Sequence, residues 1–303
     1  MIKNYILIAL RNLKKQKEFA VITILGLSIG IAVSALIMRY VMYEYNFDRF
    51  HENKDRICRI MSDVNMPNGK SKKAAVTSGE IGELITKKLP EVKRFTRFYV
   101  LSDIRLIHEE HGYPLGTFSY ADTAFFDIFS FPLLKGNPDK ALVRPNSAVI
   151  TQSMAKRVFG NKEPLNQTVT IHERDFKVTG VMADYPAQSH MQFDVLASAN
   201  TVDNPQVRLV ERNGLSFPTY FLLEKNVDIH SVNEKFMAIN RNYMKERFGK
   251  IGITVDSKLQ PMTDVYLHTT TDYQISETGS YADLIIFSLL AIFILLIALI
   301  NFR

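Results

Sequence analysis

The stretch FAVITILGLSIGIAVSALIM, residues 19–38, decides the fold class of this chain because its twenty consecutive residues include no charged side chain. A helix of this length, at about 1.5 Å rise per residue, spans roughly 30 Å, which is the thickness of the hydrocarbon layer of a bilayer. Its backbone polar groups are satisfied internally, as the membrane interior requires. The sequence therefore predicts a transmembrane helix at residues 19–41.

Basic residues just ahead of this stretch indicate its orientation. Residues 1–18 hold five basic side chains and one acidic side chain, and positive flanks stay on the cytoplasmic side of a membrane. Apolar residues in the same segment repeat at helical spacing, which predicts a cytoplasmic amphipathic helix on the membrane surface. A plain basic flank is the alternative for this segment. A cleaved secretory signal is the alternative for the first apolar stretch, since Val33-Ser34-Ala35 offers small residues for cleavage.

A second apolar run, LIIFSLLAIFILLIALI at residues 284–300, predicts a second transmembrane helix at residues 284–303. Two crossings place residues 42–283 outside the cytoplasm. The formal net charge of the chain is +6, but residues 1–18 and Arg303 supply all but one of these charges. The basicity is therefore a topology signal, and we expect no nucleic-acid partner.

The segment Gly26-Leu27-Ser28-Ile29-Gly30 matches two motifs. As G-x-S-x-G it would be a hydrolase nucleophile elbow, but that motif needs a strand, a turn and a helix, which a membrane helix does not supply. As G-x-x-x-G its two glycines lie on one face and allow another helix to approach closely, with Ser28 as a candidate interhelical donor. We predict Gly26, Ser28 and Gly30 as helix-packing residues. The alternative is that the glycines are merely tolerated.

Two stretches of the extracytoplasmic region share a strand-helix-strand pattern, in which a capping box opens the helix. Two such units packed together give a split β-α-β sandwich with helices on one face of a sheet. We therefore predict an α+β domain between two transmembrane helices. The predicted segments are the strands 56–64, 92–101, 220–224 and 253–260 and the helices opened by Thr77 to Glu80 and by Ser231 to Glu234.

The residues between these two units, about 102–215, are richer in short strands and turns, and we expect them to form a second lobe. The predicted segments are the strands 147–151, 175–183 and 193–197 and the helices 123–129 and 152–159.

The sequence contains no convincing motif for catalysis, a cofactor or a metal. The single cysteine, Cys58, excludes an intramolecular disulfide, and a buried apolar role is favoured over pairing between chains. The histidines of HEEH, residues 108–111, are three apart rather than the four of a zinc protease, so a solvated strand end is favoured. A P-loop motif is absent from the sequence, and neither apolar run contains an ionisable residue. We therefore expect neither an ATPase activity nor an ion path in this chain.

Several blocks of the sequence resemble one family of membrane proteins. Residues 3–60, from KNYILIALRNLKKQKEF to FDRFHENKDRICRI, are similar to the N-terminus of MacB/FtsX-type ABC transporter permeases, particularly the bacterial form whose ATPase is a separate chain. Five later blocks resemble parts of that family's periplasmic core domain, and a sixth resembles its second membrane helix. The blocks are FFDIFSFPLLKGNPDKAL (125–142), SAVITQSMAKRVFG (147–160), FKVTGVMADYPAQSHMQFDVL (176–196), PTYFLLEKNVD (218–228), LQPMTDVYLH (259–268) and IFSLLAIFILLIALINF (286–302).

The resemblance implies a porter subdomain built from the two strand-helix-strand units, at about 45–101 and 216–270, with a sabre subdomain inserted at about 102–215. It implies a permease subunit in the bacterial inner membrane that couples ATP hydrolysis to export or extraction work by mechanotransmission. The implied partners are a separate ABC ATPase and a second permease copy, with a periplasmic adaptor or outer-membrane component as a further candidate. No cofactor is implied.

The turn from the first helix into the domain contains Phe47, Asp48, Phe50 and His51, which we predict as the membrane-to-domain junction. Simple local capping is the alternative for this turn. The family continues past its second membrane helix with a coupling segment and further helices, whereas this sequence ends at Arg303. We therefore expect a truncated or partial permease.

Two other functions fit the same layout of anchor, outside domain and second anchor. A two-helix membrane sensor would need a signalling helix and a catalytic module after Arg303. A regulator that docks cell-envelope proteins would use the outside domain as a surface. Continuing permease sequence and a neighbouring ATPase gene would favour transport over both.

Overall fold

The computed structural model describes residues 17–202, 214–271 and 278–301. These residues form two compact units, one that contains the two long helices and one that is Phe47–Thr278. The predicted amphipathic helix over residues 1–18 lies outside the described residues except for Lys17 and Glu18, which belong to the first long helix.

Within the described residues, seven α-helices are interspersed among thirteen β-strands. The α-helices are α1 Lys17–Tyr45, α2 Ile81–Lys88, α3 Phe125–Ile128, α4 Pro138–Ala141, α5 Gln152–Phe159, α6 Ile229–Phe248 and α7 Tyr281–Asn301. The strands are β1 Ile57–Asn65, β2 Ser71–Ala74, β3 Val92–Leu101, β4 Arg105–His108, β5 His111–Pro114, β6 Phe118–Ala121, β7 Leu133–Gly136, β8 Ser147–Thr151, β9 Thr168–Ile171, β10 Arg174–Met182, β11 Val195–Ser198, β12 Thr219–Leu223 and β13 Thr254–Pro261.

The helices α1 and α7 are long and apolar enough to cross a membrane, over Ala20–Tyr45 and Tyr281–Asn301. Most of their apolar side chains are exposed, whereas a core helix of a soluble protein would bury them. The helix α1 continues four residues past its predicted end at residue 41, because residues 42–45 include neither glycine nor proline to stop it.

The strands β13, β1, β12 and β3 lie side by side in that order, and each pairs antiparallel with its neighbour. Their connections β1-α2-β3 and β12-α6-β13 interleave the two strand-helix-strand units, so the predicted split β-α-β arrangement is confirmed. The register places Arg59 of β1 opposite both Tyr220 of β12 and Gln260 of β13.

The two faces of these four strands carry separate hydrophobic clusters, because successive side chains of a strand point to opposite faces. On one face, Ile60 and Phe221 pack with Ile85 of α2 and Phe236 of α6. The other face belongs to a cluster made of the side chains Ile57, Phe98, Tyr220, Leu222, Phe125, Phe129 and Phe193. Both faces are therefore buried, which fixes the position of each strand.

The remaining strands extend the sheet beyond β3, in the order β6-β11-β8-β10-β9-β4-β5. The strand β3 pairs with β12 through its first half and with β6 through its second half, so the sheet is continuous. The pairs β6/β11 and β8/β10 are parallel. Because Phe47–Thr278 forms one compact unit, the proposed boundaries of the porter and sabre subdomains stay a prediction.

Both predicted capping boxes are wrong, although both helices exist. The backbone of Thr77 pairs with that of Phe217 in an isolated bridge, and Glu80 takes the N-cap position of α2 without a side-chain cap. The helix α6 begins earlier than predicted because the carboxylate of Asp228 accepts hydrogen bonds from the N–H groups two and three residues further on. A tertiary strand contact and a nearer carboxylate each outcompete the local motif.

Candidate functional site

The backbone at Asp48, two residues into the domain, has a left-handed conformation with φ of 59°. Aspartate and asparagine tolerate this region better than most residues. The N–H of Asp48 donates to the carbonyl oxygen of Gln188 at 2.8 Å, so this turn is tied to a loop far away in sequence.

The side chain of Asp48 is buried and contacts His190 twice. Its Oδ1 accepts a hydrogen bond from the backbone N–H of His190 at 3.0 Å. Its Oδ2 lies 2.8 Å from Nδ1 of the same residue. That second pair does not meet the angular requirement of a hydrogen bond, so we count it as a close polar contact. Both side chains are nearly inaccessible to solvent, and water cannot replace these contacts.

His190 joins this turn to the central strands through Tyr220. The Nε2 of His190 lies 2.7 Å from the hydroxyl of Tyr220, and burial raises the pKa of Tyr220 to about 12. The phenol therefore stays protonated. The Nδ1 of the same ring faces the Asp48 carboxylate, so the imidazole lies between that carboxylate and the tyrosine hydroxyl.

Arg59, opposite Tyr220 in the sheet, completes the chain of polar contacts. Its Nε donates to Gln260 at 2.9 Å and its terminal nitrogen donates to Thr269 at 2.7 Å. Burial lowers the pKa of the Arg59 guanidinium, while Tyr220 and Asp48 act in the opposite direction. We call the set Asp48, His51, Arg59, His190 and Tyr220 the junction network.

His51 sits at the edge of the junction network inside an aromatic pocket. Its Nδ1 accepts a hydrogen bond from the N–H of Ser130 at 3.0 Å, and its ring lies 5.4 Å from that of Phe129 and 5.1 Å from that of Phe131. Burial lowers the pKa of His51 to about 4; His190 acts in the same direction and Asp48 opposes it. This histidine is therefore neutral near neutral pH.

The buried His51 is expected to make the domain acid-sensitive. Its pKa falls from an ordinary value of 6.5 to about 4 on folding, so the unfolded chain binds the proton more tightly and stability declines as the pH falls from 6.5 to 4. The shift corresponds to about 3 kcal/mol at most. His51→Gln should flatten this decline when urea unfolding is followed by circular dichroism at several pH values. Equal slopes for His51→Gln, for the exposed control His172→Gln and for the native chain would contradict the prediction.

The two phenylalanines of the predicted junction pack against rings within the domain. Phe47 stacks on Tyr266 with centroids 3.5 Å apart and planes 4° apart. Phe50 packs edge-on against Phe131 at 5.6 Å. All four predicted junction residues thus lie in tertiary contacts rather than in simple local caps, but their coupling role stays a prediction.

The sequence did not point to His190, Tyr220 or Arg59 as partners of Asp48. A signal was present for Arg59, since an arginine inside the apolar run ICRIM either faces solvent or has buried partners. Without the strand register, the partner of such an arginine cannot be identified.

Gly30 lies in a close contact between α1 and α7. A Cβ atom at Gly30 would lie 2.5 Å from Cβ of Ala298, whereas a Cβ at Gly26 would meet nothing within 4 Å. About one helical turn further along α1, the hydroxyl of Ser34 donates to the carbonyl oxygen of Ala291 at 3.0 Å. Ser28 is exposed on α1. Packing of Gly26 and Ser28 against another helix stays a prediction.

The HEEH segment at residues 108–111 and Cys58 have structural positions without metal or redox chemistry. Residues 108–111 form the turn of the β4/β5 hairpin, in which Glu109 and Glu110 have left-handed backbones. Within the described residues, no three His, Cys, Asp or Glu side chains cluster as a metal site would require. Cys58 is buried, and burial raises the pKa of its thiol to about 12. Its thiol is therefore unreactive.

This architecture is similar to that of known proteins. Residues 20–239 match the family described as MacB-like periplasmic core domain. The crystal structure of a domain assigned to a permease protein from Porphyromonas gingivalis is similar with a TM-score of 0.61 and 22% identity, over 78% of this chain and 98% of that chain. No curated protein matches the chain.

Two further solved structures are similar at lower scores. The periplasmic region of MacB from Actinobacillus actinomycetemcomitans gives a TM-score of 0.47 and 16% identity, over 68% of this chain and 90% of that chain. The extracellular domain of the noncanonic ABC-type transporter YknZ from Gram-positive bacteria gives 0.46 and 15%, over 66% and 99%.

An α+β domain of periplasmic type between two helices able to span a membrane defines a membrane protein with a large extramembrane domain. This chain belongs to the family with the MacB-like periplasmic core domain, a family of ABC transporter permeases. Such permeases are not themselves catalytic, and the family in general works with an ABC ATPase.

Proposed function

We propose that this chain is the permease subunit of an ABC transporter that works by mechanotransmission, driven by a separate ABC ATPase. The observation that carries the proposal is the family match over residues 20–239. The uncharged interiors of both long helices support it, because a path for ions or protons through them would need ionisable groups. Helices of this kind suit a mechanical role.

In this proposal the junction network receives the movement of α1. Asp48 follows the last residue of α1 by three positions and is bound to Gln188 and His190. The contact of His190 with Tyr220 extends the connection to the centre of the sheet. A displacement at residue 48 would thus be passed to the loop before β11 and to β12 by buried contacts, which transmit strain because packed interiors have low compressibility.

The proposed topology has the N-terminus in the cytoplasm of a bacterial cell with residues 42–283 outside the inner membrane. The basic residues before α1 support this orientation. We propose a second permease copy as a partner, with Gly26 and Ser28, which are exposed on different sides of α1, as candidate contacts. A periplasmic adaptor or an outer-membrane component is a further proposed partner.

Affinity purification from native membranes tests the function. We expect a tagged chain, extracted in mild detergent, to bring down an ABC ATPase whose ATP hydrolysis rate changes when the chain is present. A reconstituted mixture of the two proteins gives the same comparison at known composition. Absence of any ATPase from the purified material would contradict the transporter proposal, and recovery of a histidine kinase would support a sensor instead.

Labelling of introduced cysteines tests the topology. The native thiol of Cys58 is buried, so a cysteine at Asn68, in an exposed turn of the domain, would be the reactive one among the described residues. A membrane-impermeant maleimide added to intact spheroplasts should label Asn68→Cys but not a cysteine at Lys3. The reverse pattern would overturn the orientation.

A further inference from the structure

A surface cavity of about 540 Å³ lies beside α4 and the start of β8. None of its lining residues belongs to the junction network. Its volume lies within the range of roughly 300 to 1,000 Å³ that is typical of small-molecule sites.

Two positive side chains and no carboxylate line this cavity. Lys140 and Arg144 lie four positions apart on α4 and the turn that follows it, and both are exposed. Within the part of the chain that the structure describes, neither forms an ion pair, and none of the cavity's lining residues is acidic. The cavity therefore offers uncompensated positive charge, which favours an anionic ligand.

The cavity also has an apolar wall and a fixed base. Val143 is 45% exposed, and the partly exposed Leu165 lines the cavity with it. Thr179 at the base donates to the carbonyl oxygen of Ala141 at 2.6 Å and contacts that of Ala148 at 3.1 Å. These bonds join α4 to β8 and β10, so the site is formed before any ligand enters and little ordering is needed on binding.

We propose that this cavity binds a small organic anion that carries an apolar group. Lys140 and Arg144 bind the anionic group, and Val143 and Leu165 contact the apolar part. The anion is a carboxylate or a phosphate, since both accept hydrogen bonds from lysine and arginine. This binding goes beyond the proposed transport function and does not depend on it.

Titration calorimetry on the full chain in detergent tests the proposal with benzoate and phenyl phosphate as probes and neutral benzamide as their uncharged counterpart. We expect saturable binding of at least one anion and at least tenfold weaker binding of benzamide. Whichever of benzoate and phenyl phosphate binds more tightly shows whether the site prefers a carboxylate or a phosphate. Val143→Ser should weaken benzoate more than acetate, because the phenyl ring of benzoate has far more apolar surface than the methyl group of acetate.

Charge reversal provides the matched control. The double variant Lys140→Glu, Arg144→Glu should weaken the anion at least tenfold. The variant Lys250→Glu, Lys258→Glu, with the same change of net charge at exposed positions of the domain, should stay within twofold of the native chain. Equal weakening in both double variants would reduce the effect to general charge attraction and overturn the site. Binding of benzamide as tightly as of benzoate, or no saturable binding of either anion, would overturn it as well.

Discussion

Replacing Gly30 by leucine should separate α1 from α7, because a Cβ atom at position 30 would already lie 2.5 Å from Cβ of Ala298. Real Cβ contacts are well above 3 Å, so the two helices must move apart or tilt. Forcing extra atoms into a packed contact costs about 1 to 3 kcal/mol. Leucine adds three carbons beyond Cβ, and we expect a value at the upper end.

Disulfide formation between two introduced cysteines measures this separation. Ser34 and Ala291 are adjacent, since the Ser34 hydroxyl bonds to the Ala291 carbonyl at 3.0 Å, so the pair Ser34→Cys, Ala291→Cys should cross-link rapidly in lipid. Adding Gly30→Leu should slow cross-linking at least tenfold. The same leucine at Gly26, where a Cβ meets nothing within 4 Å, is the matched control and should leave the rate within twofold. Slowing by both substitutions would show that the G-x-x-x-G face as a whole, rather than Gly30, determines the pairing.

The sequence predicted the long helices and most elements of the domain because their signals are periodic and local. The strand β3 has exactly the predicted bounds, and so do β8 and α5. The apolar runs at both ends of the chain are long enough to need no tertiary information. Errors fell on the helix starts, where a capping motif competes with tertiary contacts such as the bridge between Thr77 and Phe217.

The candidate site was predicted only in part, for a physical reason. Asp48 and His51 were found because they lie next to the end of a membrane helix in sequence. Their partners come from distant elements, His190 from the loop before β11 and Tyr220 from β12. No local pattern records that pairing, since it is created by the order of the strands. The packing of the two repeated units as a split β-α-β arrangement was predicted, but the order of the strands in the sheet was not.

Asp48→Asn is expected to destabilise the domain by about 2 to 3 kcal/mol, because it removes a buried carboxylate that faces His190 and that favours the charged form of the buried Arg59. Asparagine keeps the tolerance for a left-handed backbone and retains an oxygen for the N–H of His190, so the loss reports chiefly on the charge. Arg59 is a buried cation whose charged form Asp48 favours electrostatically, and its named hydrogen-bond partners Gln260 and Thr269 are neutral. Urea unfolding of the full chain in detergent, followed by circular dichroism, measures the change.

Two comparisons separate this charge effect from a general loss of packing. Asp55→Asn removes an exposed carboxylate nearby and should change stability by less than about 0.5 kcal/mol. In a double-mutant cycle with Arg59→Met, the loss from Asp48→Asn should shrink, since the buried cation that it would strand is gone. Additive losses would show that Asp48 stabilises the turn without an electrostatic contribution from Arg59.

If the junction network also transmits the movement of α1, Asp48→Asn should reduce transport while the ATPase still co-purifies, because the substitution loosens the connection to the domain and leaves the helices intact.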